Sequence, residues 1–215
     1  MSLCVGDPAS RIYIWIMPIN YLELPIGAKY PYEVDCVVEI PKDTNVKYEY
    51  DEVHHVFRLD RCLLSSMSYP CSYGLIPSTR ADDGDALDML VYCSSPLATG
   101  TVVSCRAVGV LDMTDGGKKD YKVLGVPLYI PHPIRDLHEV DPMFLKITRN
   151  FFQYYKELEG KAVEIGDWLS AEVAREKIVE AHKNFFATQI QAPEHCYQEP
   201  EANSEYNPNT DLMMI

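Results

Sequence analysis

The sequence predicts an α+β domain: a sheet or small β-barrel against which two C-terminal helices pack. Two observations carry that expectation. Runs of β-branched and aromatic residues, each cut short by Pro, Gly or Asp clusters, succeed one another from residue 34 to about 130. Helical periodicity appears only afterwards, in two stretches between 141 and 186. Strands first and helices after describe an α+β arrangement. With 215 residues, 47% of them apolar, the chain has ample material for a core.

Residues 1–33 form an N-terminal extension in which apolar runs alternate with Pro, Gly and Asn, and a short strand or two is expected there. The main domain, 34–187, opens on the strand-like "VDCVVEIP", followed by "VKYEYDEVHHVFRLDRCL", "LDMLVYC", "TVVSCRAVGVLDMTD" and "DYKVLGVPLYI". The intervening "SMSYPCSYGLIP" reads as a loop. In "DPMFLKITRNFFQYYKELEG", Asp141 is the expected N-cap, Pro142 the first helical residue and Gly160 the terminator. Phe144, Ile147, Phe151, Tyr155 and Leu158 recur at three- and four-residue steps and are expected to face inward. A second helix is expected from its cap Ser170 to about Phe186, with Val173, Ile178, Ala181 and Phe185 on the core side. The remainder, 188–215, has five acids, no lysine or arginine, and much Pro, Asn and Gln; it is expected to be disordered.

Composition excludes some functions. A net charge of −13 argues against wrapping nucleic acid, which is bound chiefly through lysine and arginine. The seven cysteines show no two-residue spacing of a zinc or redox motif, and most lie in strand-like surroundings as small hydrophobes. Reduced thiols point to a cytoplasmic location. The apolar run "IYIWIMPI" is far shorter than the ~20 residues a membrane helix needs, and it lacks the flanks of a signal peptide.

The stretch "DDGDALDML" gathers four aspartates within seven positions. Gly84 permits a tight turn, so Asp83, Asp85 and Asp88 can converge, and hard dications such as Mg²⁺ take such oxygen ligands. A solvated acidic turn is the commoner explanation of an isolated cluster. An EF-hand is excluded, because its fifth and twelfth positions would be Leu87 and Ser94. Other polar residues weigh against the commoner explanation. "MTDGGKKDYK" adds Asp115, Asp120 and Lys122 around a second glycine turn. Lys47 and Glu49, two apart, project from one face of a strand, with Glu39 upstream and Arg61 downstream. Tyr69 and Tyr73 lead into the aspartates.

With these residues in view, the chain resembles the family I soluble inorganic pyrophosphatases. "DGDALD" is similar to the family signature D-G-D-P-hydrophobic-D, and "YPCSYG", "GVLDMTD", "DYK" and "FFQYYKELE" follow in the family's order across residues 34–186. Ala86 stands where proline is usual. The resemblance implies an α+β fold with a small closed five-stranded (OB-like) β-barrel, flanking strands and two C-terminal helices, two or more Mg²⁺ ions per site, pyrophosphate as substrate and a homo-oligomer. It implies that Asp83, Asp88 and Asp120 ligate metal directly and that Asp115 joins them. Asp85 resembles the residue that lies between two ions and receives a proton from the attacking water. Glu39 and Glu49 look like outer carboxylates. Lys47, Arg61, Tyr73, Lys122, Tyr155 and Lys156 resemble the phosphate-binding set, with Tyr69 supporting the pocket.

Seven carboxylates against four cations leave this set negative, yet its substrate is an anion. At ~4 Å and an effective dielectric near 20, each pair of charges interacts by about 4 kcal/mol. Dications would reverse the sign. His54 and His55 point to opposite strand faces and are read as hairpin residues. His132, His138 and His195 show no ligand spacing, and Trp15 and Trp168 are read as packing anchors. Two other functions fit the scaffold less well: a non-catalytic barrel that binds nucleic acid or protein, and hydrolysis of polyphosphate or nucleotides.

Overall fold

The computed structural model describes residues 19–129 and 134–191, with no account of side chains after 188. Nine strands and two helices follow one another: β1 Glu33–Ile40, β2 Val46–Asp51, β3 Val56–Cys62, β4 Ser72–Leu75, β5 Asp88–Val91, β6 Val102–Asp115, β7 Lys118–Lys119, β8 Lys122–Pro127, α1 Pro142–Tyr154, β9 Val163–Ser170 and α2 Ala171–Gln191. The architecture is a sheet-rich α+β fold. In the large sheet the neighbours run β1, β4, β5, β8, β6, β7; β9 pairs with β6, and β1 also pairs with β6. β2 and β3 form a separate hairpin.

Strands β4, β5 and β8 are buried almost throughout, which is why their sequences run apolar instead of alternating. Successive residues serve two cores. Met89 and Val91 of β5 join Val34, Cys36 and Val123 in a cluster sealed by Ala174, Ile178 and Ala181 of α2. Leu90, Leu111, Met113 and Leu124 join the other, sealed by Phe151 and Phe152 of α1. Gly74 lets β4 press onto β1, since a Cβ there would sit 2.0 Å from the Val37 carbonyl oxygen.

Several expectations need correction. Residues 72–75 are not loop but strand β4, so Tyr73 is a strand residue. Strand β9 lies between the helices, and its eight residues "VEIGDWLS" escape a period-2 reading. Asp141 does cap α1, its carboxylate accepting the Met143 N–H, but the helix ends at Tyr154 and Gly160 closes a separate short 3-10 turn. The inward face of α1 is Thr148, Phe151 and Phe152, while Ile147 and Leu158 are 51% and 64% exposed. The aromatic stripe faces in, with the Phe151 ring packed on Tyr69 and the Phe152 ring near Tyr73, at centroid distances of 4.8 and 6.4 Å. Within residues 19–32 there is a 3-10 turn and one bridge, Lys29 to Glu33, but no strand. Helix α2 extends past Phe186 to Gln191, and the expected disordered tail beyond it lies outside the described residues, as do Trp15, His132 and His195. His54 and His55 sit in the hairpin turn, and Trp168 donates its indole N–H to the Leu145 carbonyl at 3.1 Å.

Candidate active site

Strand ends and turns converge on one cavity of about 380 Å³. The parallel strands β5 and β8 begin there with Asp88 directly opposite Lys122, and the antiparallel β6 ends there with Asp115. The turn before β5 brings Asp83 and Asp85, the turn before β8 brings Asp120, and β1 contributes Glu39. Lys47 and Glu49 face in from the hairpin; Tyr155 and Lys156 come from just past α1. Every candidate residue of the sequence lines this cavity except Arg61, and Tyr69 lines it too. Arg61 lies across the hairpin opposite Lys47, held by Glu159 at 2.9 Å and by Asp60.

The charged groups pair internally. Lys122 bonds both Asp88 and Asp120, Lys156 bonds Asp115, and Lys47 bonds Glu49. Lys122 is almost fully buried, which disfavours its charge, but Asp88 and Asp120 outweigh burial and hold it protonated. The carboxylates remain under strain of charge. Burial, reinforced by Asp88, raises Glu39 to about 8. Burial and Asp83 raise Asp85; burial raises Asp120. Tyr69, Tyr73 and Tyr155 are also pushed up by burial and keep their hydroxyl protons. Because Lys122 donates to the Tyr73 hydroxyl oxygen at 3.2 Å, the Tyr73 proton is left to point elsewhere.

Eight carboxylates and only four cationic side chains line the cavity. Two of these, Glu52 and Arg80, were not picked out by sequence. Arg80 immediately precedes "ADDGD", and its place before an acidic turn was the available signal. Among the described residues no three acidic, cysteine or histidine groups converge on one point as they stand. The reason is visible in the ion pairs: the Lys122 ammonium occupies the space shared by Asp88 and Asp120, and Lys156 takes Asp115.

A family model for inorganic pyrophosphatase matches residues 36–186, well over half the chain. The chain belongs to the inorganic pyrophosphatase family. Among curated family members it is 41% identical over 149 residues to the inorganic pyrophosphatase of Geobacillus stearothermophilus, covering 68% of this chain and 90% of that protein. It is 40% identical over 166 residues to that of Xylella fastidiosa, covering 74% and 93%. The crystal structure of inorganic pyrophosphatase from Thermus thermophilus superposes with a TM-score of 0.75 at 38% identity, covering 78% of this chain and 99% of that one. The pyrophosphatase match spans all the cavity-lining carboxylates.

Proposed function

We propose that this chain hydrolyses inorganic pyrophosphate to two orthophosphates by direct attack of water, with two or more Mg²⁺ ions in its cavity. The observation that carries this reading is the twofold excess of carboxylates over cations lining one cavity in a chain of this family. A phosphoanhydride entering the protein's own charge would be repelled. The donor set fits hard dications: every candidate ligand is a carboxylate oxygen, and Glu39, Asp85 and Asp120 are raised chiefly by burial and further by neighbouring carboxylates. Asp83, Asp88 and Asp120 would hold the ions, with Asp115 and Asp85 joining and Glu39 and Glu49 outside them. Bound there, the ions lower the pKa of water and neutralise phosphate charge.

The chain's own groups do the rest. Asp85, carried into the cavity by the turn before β5, takes up the proton of the attacking water. Lys47, Lys122 and Lys156, with Arg61 at the hairpin, neutralise non-bridging oxygens as the phosphoryl group loosens. Tyr73 and Tyr155 donate hydrogen bonds to phosphate. No side-chain nucleophile is needed, which accords with the buried, raised thiols of Cys36 and Cys71.

Three further readings belong with this one. The circuit β1, β4, β5, β8, β6 and back to β1 supports a small closed OB-like barrel. A homo-oligomer is supported by the exposed apolar stripe of Met143, Ile147, Tyr154 and Leu158 along and beyond α1. A cytoplasmic place is supported by five free cysteines among the described residues; no helix there is long and apolar enough to cross a membrane. The deciding experiment measures phosphate release from pyrophosphate, tripolyphosphate and ATP, with Mg²⁺ and with chelator, beside a DNA-shift assay at low salt. Release from pyrophosphate that needs Mg²⁺ is expected. DNA binding without release would favour a non-catalytic barrel, and faster release from the other anhydrides a broader hydrolase.

A further inference from the structure

Arg80 stands apart from the other cavity cations, because it bonds no carboxylate. Its Nη1 donates to the backbone carbonyl of Gly84 at 2.5 Å, inside the turn that carries Asp83 and Asp85. Its Nε is buried without a hydrogen-bond partner, a penalty that a solvated arginine would avoid by turning outward. The backbone beneath it is fixed. The Arg80 N–H donates to the Ala181 carbonyl of α2 at 2.8 Å. Ser78, two residues earlier, donates its N–H to Leu22 at 2.7 Å and its hydroxyl to Leu24 at 2.8 Å, and its carbonyl meets His182 Nδ1 at 2.6 Å.

The turn itself is loosely built at its tip. Gly84 has φ +103° and nothing near its Cα face, and Ala86 lacks the fixed φ of a proline. Backbone bonds from Ala81 to Asp85 and from Gly84 to Ala81, and the Asp85 N–H on the Asp83 carboxylate, close it from within; outside the tip, the Leu87 N–H donates to the Thr79 hydroxyl at 2.9 Å. The guanidinium is the strut between the tip and the anchored segment.

We propose that Arg80 is a positioning residue that holds the Asp83–Asp85 turn in a dication-ready shape, doing by a hydrogen bond what a stiffer backbone at position 86 would do by covalent geometry. The inference rests on the proposed metal-dependent hydrolysis for its meaning but can be read without catalysis. Ala86 donates no backbone hydrogen bond among the described residues, so proline there removes none.

The test is a cycle of four proteins: wild type, R80M, A86P and R80M/A86P. Mn²⁺ affinity is measured by electron paramagnetic resonance without substrate, amide exchange is followed over 81–87, and kcat and KM are taken at saturating Mg²⁺. R80M is expected to weaken Mn²⁺ binding roughly ten-fold, as loss of one charge-assisted bond would, and to speed exchange in the turn, with the melting temperature nearly kept. Adding A86P is expected to recover most of the loss in the R80M background and to gain less in the wild type. Wild-type Mn²⁺ affinity and exchange in R80M would overturn the strut. A loss that A86P does not recover would also overturn it, since stiffening the backbone at 86 would then not replace the bond. Coupling in Mn²⁺ binding, in a protein that releases no phosphate, would support the strut and defeat the hydrolase reading instead.

Discussion

Lys122 shows how single residues carry both stability and function here. Its ammonium is 4% exposed and joins two carboxylates, so removing it leaves buried charge unpaired. Lys122→Met is expected to cost about 3–5 kcal/mol of folding stability by denaturant titration in chelator; an unchanged midpoint would refute the pairing. Asp85→Ala and Asp88→Ala are expected to abolish phosphate release with circular dichroism unchanged, and wild-type turnover in both would overturn the proposed roles. Glu39 gives a pH prediction. Raised to about 8, it binds a proton in the folded metal-free protein that the unfolded chain releases above its ordinary value near 4.5. Its contribution to stability is complete below the latter and is lost as pH rises through the former. Thermal unfolding in chelator should show that decline, and Glu39→Gln should flatten it. At this scale most of the cavity was legible, because several motifs in order joined the acidic cluster, which alone reads as a solvated turn, to cations and tyrosines. Arg80 was not, since a lone arginine before an acidic run reads as a solvated neighbour.

Among elements, strands punctuated by Pro and Gly were readable, but β4 hid its four residues behind a proline and a glycine of close approach. β9 hid because one of its sides is only partly covered. Helix α1 was found with its cap and its phase in part: Phe151 and Tyr155 are buried and Phe144 packs on the core, but Ile147 and Leu158 face outward, because two apolar stripes share this segment. Only tertiary contact with Tyr69 and Tyr73 selects Phe151 and Phe152 over Ile147. Asp141→Ala is expected to destabilise by about 1 kcal/mol, since the Met143 N–H loses its acceptor; a midpoint shift near zero would deny the cap a role.

The whole molecule places two helices on separate cores of one sheet and leaves the second stripe of α1 outward. If that stripe joins copies, Ile147→Glu should shift the wild-type mass in light scattering towards the monomer while leaving the cores intact. A wild type already monomeric at working concentration would dismiss the oligomer. Which stripe of α1 faces outward was beyond the sequence, because exposed and buried apolar stripes look alike there.

The hairpin β2–β3 shares no ladder with the large sheet, and Glu39 ties it there by accepting the Tyr50 N–H at 2.9 Å. One wall of the cavity is thus a jaw attached to the rest by side-chain bonds, Glu39 to the Tyr50 N–H and Arg61 to Glu159. Breathing of that jaw is expected to govern how fast phosphate escapes, so turnover should slow as a viscous solute such as sucrose thickens the medium.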